Sequence, residues 1–120
     1  EPYIYLFGGV GQEGPLNDLF RFDPSVNTWS RLNASEPPSP RFGHSLAAAD
    51  GGGSMLVFGG IDIDGQLPAS VHRLDVASDS WEILVPTVSP YATSNSTPFV
   101  PRGRRWHGMD VLDGYLYVFG

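Results

Sequence analysis

The sequence predicts an all-β protein built from a repeated, four-stranded antiparallel unit. Three observations carry that expectation. Gly 15 and Pro 11 make 26 of the 120 residues, a proportion that suits frequent turns better than long helices. No window holds a 3.6-residue apolar period bounded by capping residues. The third observation is internal repetition, which decides the organisation of a chain before any single element does. Leu6-Phe7-Gly8-Gly9 recurs as Val57-Phe58-Gly59-Gly60, and again as Val118-Phe119-Gly120. Asp23 recurs as Asp75, Trp29 as Trp81, and Arg41-Phe42-Gly43-His44 as Arg104-Arg105-Trp106-His107. The offsets are 51 to 52 between the first two units and 61 to 63 between the second and third.

Taken in order, each unit reads as strands. Tyr3 to Phe7, Met55 to Phe58 and Tyr115 to Phe119 are β-branched and aromatic runs closed by glycine, so a strand is expected to end at Phe7, Phe58 and Phe119. Leu19 to Phe22 and Val71 to Leu74 alternate as half-buried strands do. Trp29 to Leu32 and Trp81 to Leu84 come after tight polar turns, Asp23 to Asn27 and Asp75 to Asp79.

Four strands per unit, at a period of roughly 50 residues, is the pattern of kelch-type propeller blades. The chain resembles the kelch-repeat β-propeller family over its whole length. The resemblance rests on Gly8-Gly9 and Gly59-Gly60, on the later Trp29 and Trp81, and on the Arg-x-x-His stretches ending in His44 and His107. It departs from the family at Leu74, where an aromatic residue is usual, and at Trp106, which replaces the glycine seen at Gly43. The resemblance implies a partial propeller of about two and a quarter blades. Residues 1–32 supply strands two to four of one blade, 41–85 a complete blade, and 104–120 the first two strands of the next. Residues 86–103 form a long Pro/Ser/Thr-rich connection between blades. The remaining blades of the same propeller are then expected from elsewhere, because the ring closes only with about four to eight.

The repeat landmarks have structural work. Trp29 and Trp81 are expected to be buried between blade faces. The di-glycines are expected where the chain turns with positive φ or passes close to another backbone. Along a meander, connections alternate between the two ends of a sheet. Residues 50–53, 113–114, 24–27 and 76–79 are short and share one end. Residues 9–18, 60–70, 33–42 and 86–104 are long and share the other. Long loops on a rigid scaffold are where binding usually resides, so the long-loop end is the expected working face.

Composition excludes several classes. The balance of 7 basic to 13 acidic residues, net −6, opposes a phosphate-binding nucleic-acid surface. There is no cysteine, hence no disulfide framework, no Cys-ligated zinc and no thiol nucleophile. The uncharged run from Leu84 to Pro101 is broken by proline and rich in Ser and Thr, so no membrane insertion is expected. Gly9 to Gly14 fits G-x-G-x-x-G, but it leads into Pro15-Leu16-Asn17-Asp18 and a strand, not into the helix that would hold a pyrophosphate. Asp62-Ile63-Asp64-Gly65 lacks the further oxygen ligands of a calcium loop, with Arg73 where the terminal Glu would fall. His44, His72 and His107 lie on three different strands, and regular recurrence suits packing better than metal ligation. No catalytic residue, metal or cofactor is expected.

Four of the seven basic residues, Arg41, Arg102, Arg104 and Arg105, fall at the ends of the blade-to-blade loops. The kelch resemblance implies that arginines at this point line a ligand pocket. Arg41, Arg104 and Arg105 with Trp106 are therefore the candidate partner-binding residues, suited to a carboxylate-bearing protein segment. A structural role bonding loop carbonyls is the competing reading, favoured for Arg41. Asn33-Ala34-Ser35 and Asn95-Ser96-Thr97 fit the glycosylation pattern. They keep a secreted or cell-surface location open beside a cytoplasmic one. The expected function is a non-catalytic protein-binding or scaffold module. Its alternatives are a propeller part of an oxidase-like enzyme with catalytic residues elsewhere, the substrate-receptor arm of a ubiquitin ligase, and an extracellular adhesion ectodomain.

Overall fold

The computed structural model describes residues 2–87 and 100–120. Among the described residues, nine strands form three separate antiparallel sheets. The first holds β1 (Ile4–Gly11), β2 (Gly14–Asp23) and β3 (Thr28–Leu32) in that order. The second holds β4 (Arg41–Ala49), β5 (Ser54–Asp62), β6 (Val71–Asp75) and β7 (Ser80–Leu84), with a single 3₁₀ turn, Asp50–Gly52, between β4 and β5. The third pairs β8 (Gly108–Leu112) with β9 (Tyr115–Phe119). Each sheet is a simple meander, of three, four and two strands in turn, and the four-stranded sheet has the make-up of one kelch-type blade.

The short connections are set by local side-chain chemistry. Asp23 accepts hydrogen bonds from the Ser25 amide at 2.9 Å and from its hydroxyl at 2.6 Å. Asp75 does the same for the Ser78 amide at 2.8 Å and hydroxyl at 2.9 Å. These bonds hold both carboxyl groups below their ordinary range, through the Ser25 hydroxyl and the Ser78 amide first. Each turn closes through a residue at positive φ, Asn27 at 55° and Asp79 at 50°, a conformation that Asn and Asp tolerate best after glycine. Asp113 and Gly114, at 52° and 79°, make the two-residue turn between β8 and β9.

β1 and β5 run four residues beyond the expected ends at Phe7 and Phe58, to Gly11 and Asp62, whereas β9 stops at Phe119. The di-glycine does not end the strand. Opposite it the ladder is irregular: Phe7 faces Leu19, but Gly9 faces Leu16, so β2 sets two residues, Asn17 and Asp18, against the single Gly8 and the ladder continues. The expected loop 9–18 is consequently a hairpin closed at Gln12-Glu13, with Gly11 opposite Gly14. The G-x-G-x-x-G match is part of this hairpin.

The core lies between the first two blades. Phe7 and Leu19 from the first meet Met55, Val57, Leu74 and Trp81 from the second. The Trp81 ring packs on Phe7 with centroids 5.0 Å apart and is only 4% exposed. Trp29 occupies the equivalent place and is 54% exposed, with no sheet described against its blade on that side. Its ring leans on Phe22 of its own blade at 5.0 Å. The difference is one of neighbours, since burial of this tryptophan depends on a phenylalanine from the blade before it.

Candidate interaction site

The seam between blades explains most of the repeated residues. In β4, His44 reaches back to the preceding blade, where Nε2–H donates to the Phe7 carbonyl at 2.9 Å, and its ring meets Phe7 edge-on at 5.5 Å. The His107 ring meets Phe58 edge-on at 5.4 Å. Gly8 and Gly59 lie under these histidines with φ of 64° and 74°. A Cβ on Gly59 would overlap the Arg104 carbonyl oxygen and stand 2.6 Å from His107 Cε1. On Gly8 it would stand 2.9 Å from the Arg41 carbonyl oxygen. Both reasons for glycine, backbone conformation and close approach, therefore apply at one position. The Gly60 amide donates to the Arg104 carbonyl at 2.8 Å, and the Trp106 amide to the Gly43 carbonyl at 2.8 Å. The Ser45 hydroxyl adds a bond to the His107 carbonyl at 2.6 Å.

Burial pushes all three histidines below the ordinary value, His72 to about 4. His44 Nδ1 and His72 Nδ1 are buried without a partner, so an added proton there would find no acceptor. Among the described residues, no group of three or more His, Cys, Asp or Glu could hold a metal ion. The Asp62 carboxylate accepts from the Asp64 amide at 3.0 Å and the Gln66 amide at 2.8 Å, closing its own turn.

The arginines divide by register. Arg41 is 2% exposed; its guanidinium donates to the Gly59 carbonyl at 3.2 Å, the Ser39 carbonyl at 3.1 Å and the Ser39 hydroxyl at 3.0 Å. Arg104 repeats the arrangement one blade later, donating to the Gly120 carbonyl at 2.9 Å and the Arg102 carbonyl at 3.2 Å. Each arginine thus ties the incoming loop to the glycine that ends the Phe-Gly stretch of its own blade. Arg41 is withdrawn from the surface, as the structural reading expects. Arg104 is half-buried, and Arg102 and Arg105 are exposed. Arg102 and Arg104 line a shallow cavity of about 400 Å³ with Val100, Pro101 and Val118.

Trp106 is 70% exposed and has φ of 57°. Its repeat counterpart, Gly43, has φ of 68°, so the position demands a left-handed backbone that costs a bulky residue about 1–3 kcal/mol. The indole lies over Gly43 and meets the Phe42 ring at 6.0 Å. Nothing in the sequence alone singles out Phe42. The available signal is the alignment of Phe42-Gly43 with Arg105-Trp106, which puts positions 43 and 106 at one turn. Gly103 is forced by the neighbouring loop, because a Cβ there would overlap the Leu67 carbonyl. Asn33 is exposed just after β3. Asn95 and most of the 86–103 connection lie outside the described residues.

With blades, seams and landmarks in place, comparison with known proteins gives the class. The model of the KLHDC2/KLHL20/DRC7 Kelch-repeats domain matches residues 1–120. The chain belongs to this kelch-repeat family. It is 33% identical, over 98% of its length, to the leucine-zipper-like transcriptional regulator 1 homolog of Drosophila melanogaster, covering 12% of that protein. It is 32% identical, over 98% of its length, to the Adagio-like protein 1 of Oryza sativa subsp. japonica, covering 18% of it. Adagio protein 3 of Arabidopsis thaliana is 32% identical over 92% of the chain, which covers 16% of that relative. The chain spans less than a fifth of the length of these relatives.

Proposed function

We propose that the chain is part of a non-catalytic protein-interaction module whose long-loop face receives an acidic segment of a partner protein. One observation carries this reading: Arg102, Arg105 and Trp106 are exposed together at the entry to the third blade, on a chain of net charge −6. Local positive potential on an acidic body steers acidic partners in and repels basic ones. The guanidinium of Arg104 adds to the same field while its bonds hold the loop in place. Membership of the kelch family supports a binding role, and the relatives named as regulators agree with it.

The test is the double variant Arg102→Glu and Arg105→Glu in the full-length protein. Neither side chain is buried, so the melting temperature stays unchanged. Partners captured by the wild type at low salt are lost, and their association slows. Retention of the same partners by a folded double variant would refute the reading.

A further inference from the structure

We infer that Trp106 and Phe42 form an apolar anchor subsite that takes a proline or aromatic side chain of the acidic segment; this rests on the proposed binding of that segment. Fold requirements do not account for Trp106. The position needs φ near 60°, and glycine fills it without strain one blade earlier, at Gly43. A tryptophan there carries the strain of that backbone and gains little burial, since the ring remains 70% exposed. Strain of this kind persists at sites of function when the surroundings enforce it.

The surroundings also hold the ring still. Its Cδ2, Cε2 and Cε3 atoms lie 3.3–3.4 Å from where a Cβ of Gly43 would stand, so the absence of a side chain at 43 makes the bed for the indole. Phe42 braces it at 6.0 Å and 59°. The backbone of Trp106 is tied to the Gly43 carbonyl at 2.8 Å. One face of the indole is supported while the side chain as a whole is open to solvent. A rigid, exposed aromatic surface binds with little loss of rotamer freedom.

Charge selects the occupant. Arg105 is adjacent in sequence, and Arg102 and Arg104 stand on the approaching loop. A basic side chain is repelled and a carboxylate beside the ring is attracted. The occupant is therefore an extended peptide with Asp or Glu within two residues of a proline or aromatic residue.

The experiment is selection of a random displayed peptide library on the immobilised full-length protein. The selected peptides are then titrated against Trp106→Gly and Arg105→Glu. Enriched peptides should share the acid-plus-ring pattern. Trp106→Gly should weaken them roughly thirtyfold, the loss of one binding hot spot, with a melting temperature equal to or above that of the wild type. Arg105→Glu should weaken them as well. Undiminished binding to Trp106→Gly, with loss on Arg105→Glu, overturns the anchor subsite and leaves the acidic-partner reading standing. Undiminished binding to both variants overturns both. A fall in melting temperature on Trp106→Gly makes the tryptophan structural and also overturns the inference, as does a selection that enriches no acid-plus-ring pattern.

Discussion

Replacing Gly59 by alanine separates the two demands that the seam places on the di-glycine. Gly59 has φ of 74°, and its Cβ would overlap the Arg104 carbonyl oxygen and press on His107 Cε1 at 2.6 Å. Gly9 also has positive φ, 101°, but a Cβ there meets no heavy atom within 4 Å. Both substitutions incur the left-handed strain of an L-residue, about 1–2 kcal/mol. Both recover about 0.4–1 kcal/mol from a stiffer unfolded chain. Only Gly59→Ala adds the cost of forcing atoms into a packed seam, about 1–3 kcal/mol. Gly9→Ala should therefore cost about 1 kcal/mol and Gly59→Ala about 2–4 kcal/mol. The assay is urea unfolding of the full-length variants, monitored by tryptophan fluorescence. Equal losses, within about 0.5 kcal/mol, an additivity-scale error, would show that the next blade does not cross at Gly59 as described.

The same seams set two further expectations. Trp81→Ala should cost about 3–5 kcal/mol, because the ring is enclosed between Phe7 and its own blade; a thermal melt unchanged from wild type would contradict that packing. Stability should fall with acid through the buried histidines. His72 has a folded value of about 4, set by burial first and by Arg41 second, so the unfolded chain binds the proton more tightly. The stabilisation is present above the unfolded value near 6.5 and is lost as pH drops from there towards 4. His72→Phe should flatten the melting temperature between about pH 7 and pH 4.5, and an unaltered slope would remove His72 as a cause.

What was legible in the sequence was what repeats. Glycine at a crowded left-handed turn has no substitute, so Gly8, Gly59 and their partners His44 and His107 recur at fixed spacing and announce the blade. Strand length was less legible. The pair Gly8-Gly9 reads as a stop, yet Leu16 and Pro15 pair beyond it and carry the ladder to Gly11. The exposure of Trp29 was hidden because burial there belongs to a neighbouring blade and not to the unit itself. The arginines were the hardest. Arg41 and Arg105 are one residue apart in repeat register, and that single step turns one into a buried clamp on Gly59 and leaves the other in solvent. Phe42 gained its place only through Trp106, across a seam that no local pattern marks.

Hydrogen–deuterium exchange of the full-length protein, with and without a selected acid-plus-ring peptide, tests the central claim most directly. Binding through the long-loop face predicts slowed exchange at residues 42–43 and 102–106, with no change in the short turns at 24–27, 50–53, 76–79 and 113–114. Protection confined to those short turns, with residues 102–106 unchanged, would contradict it.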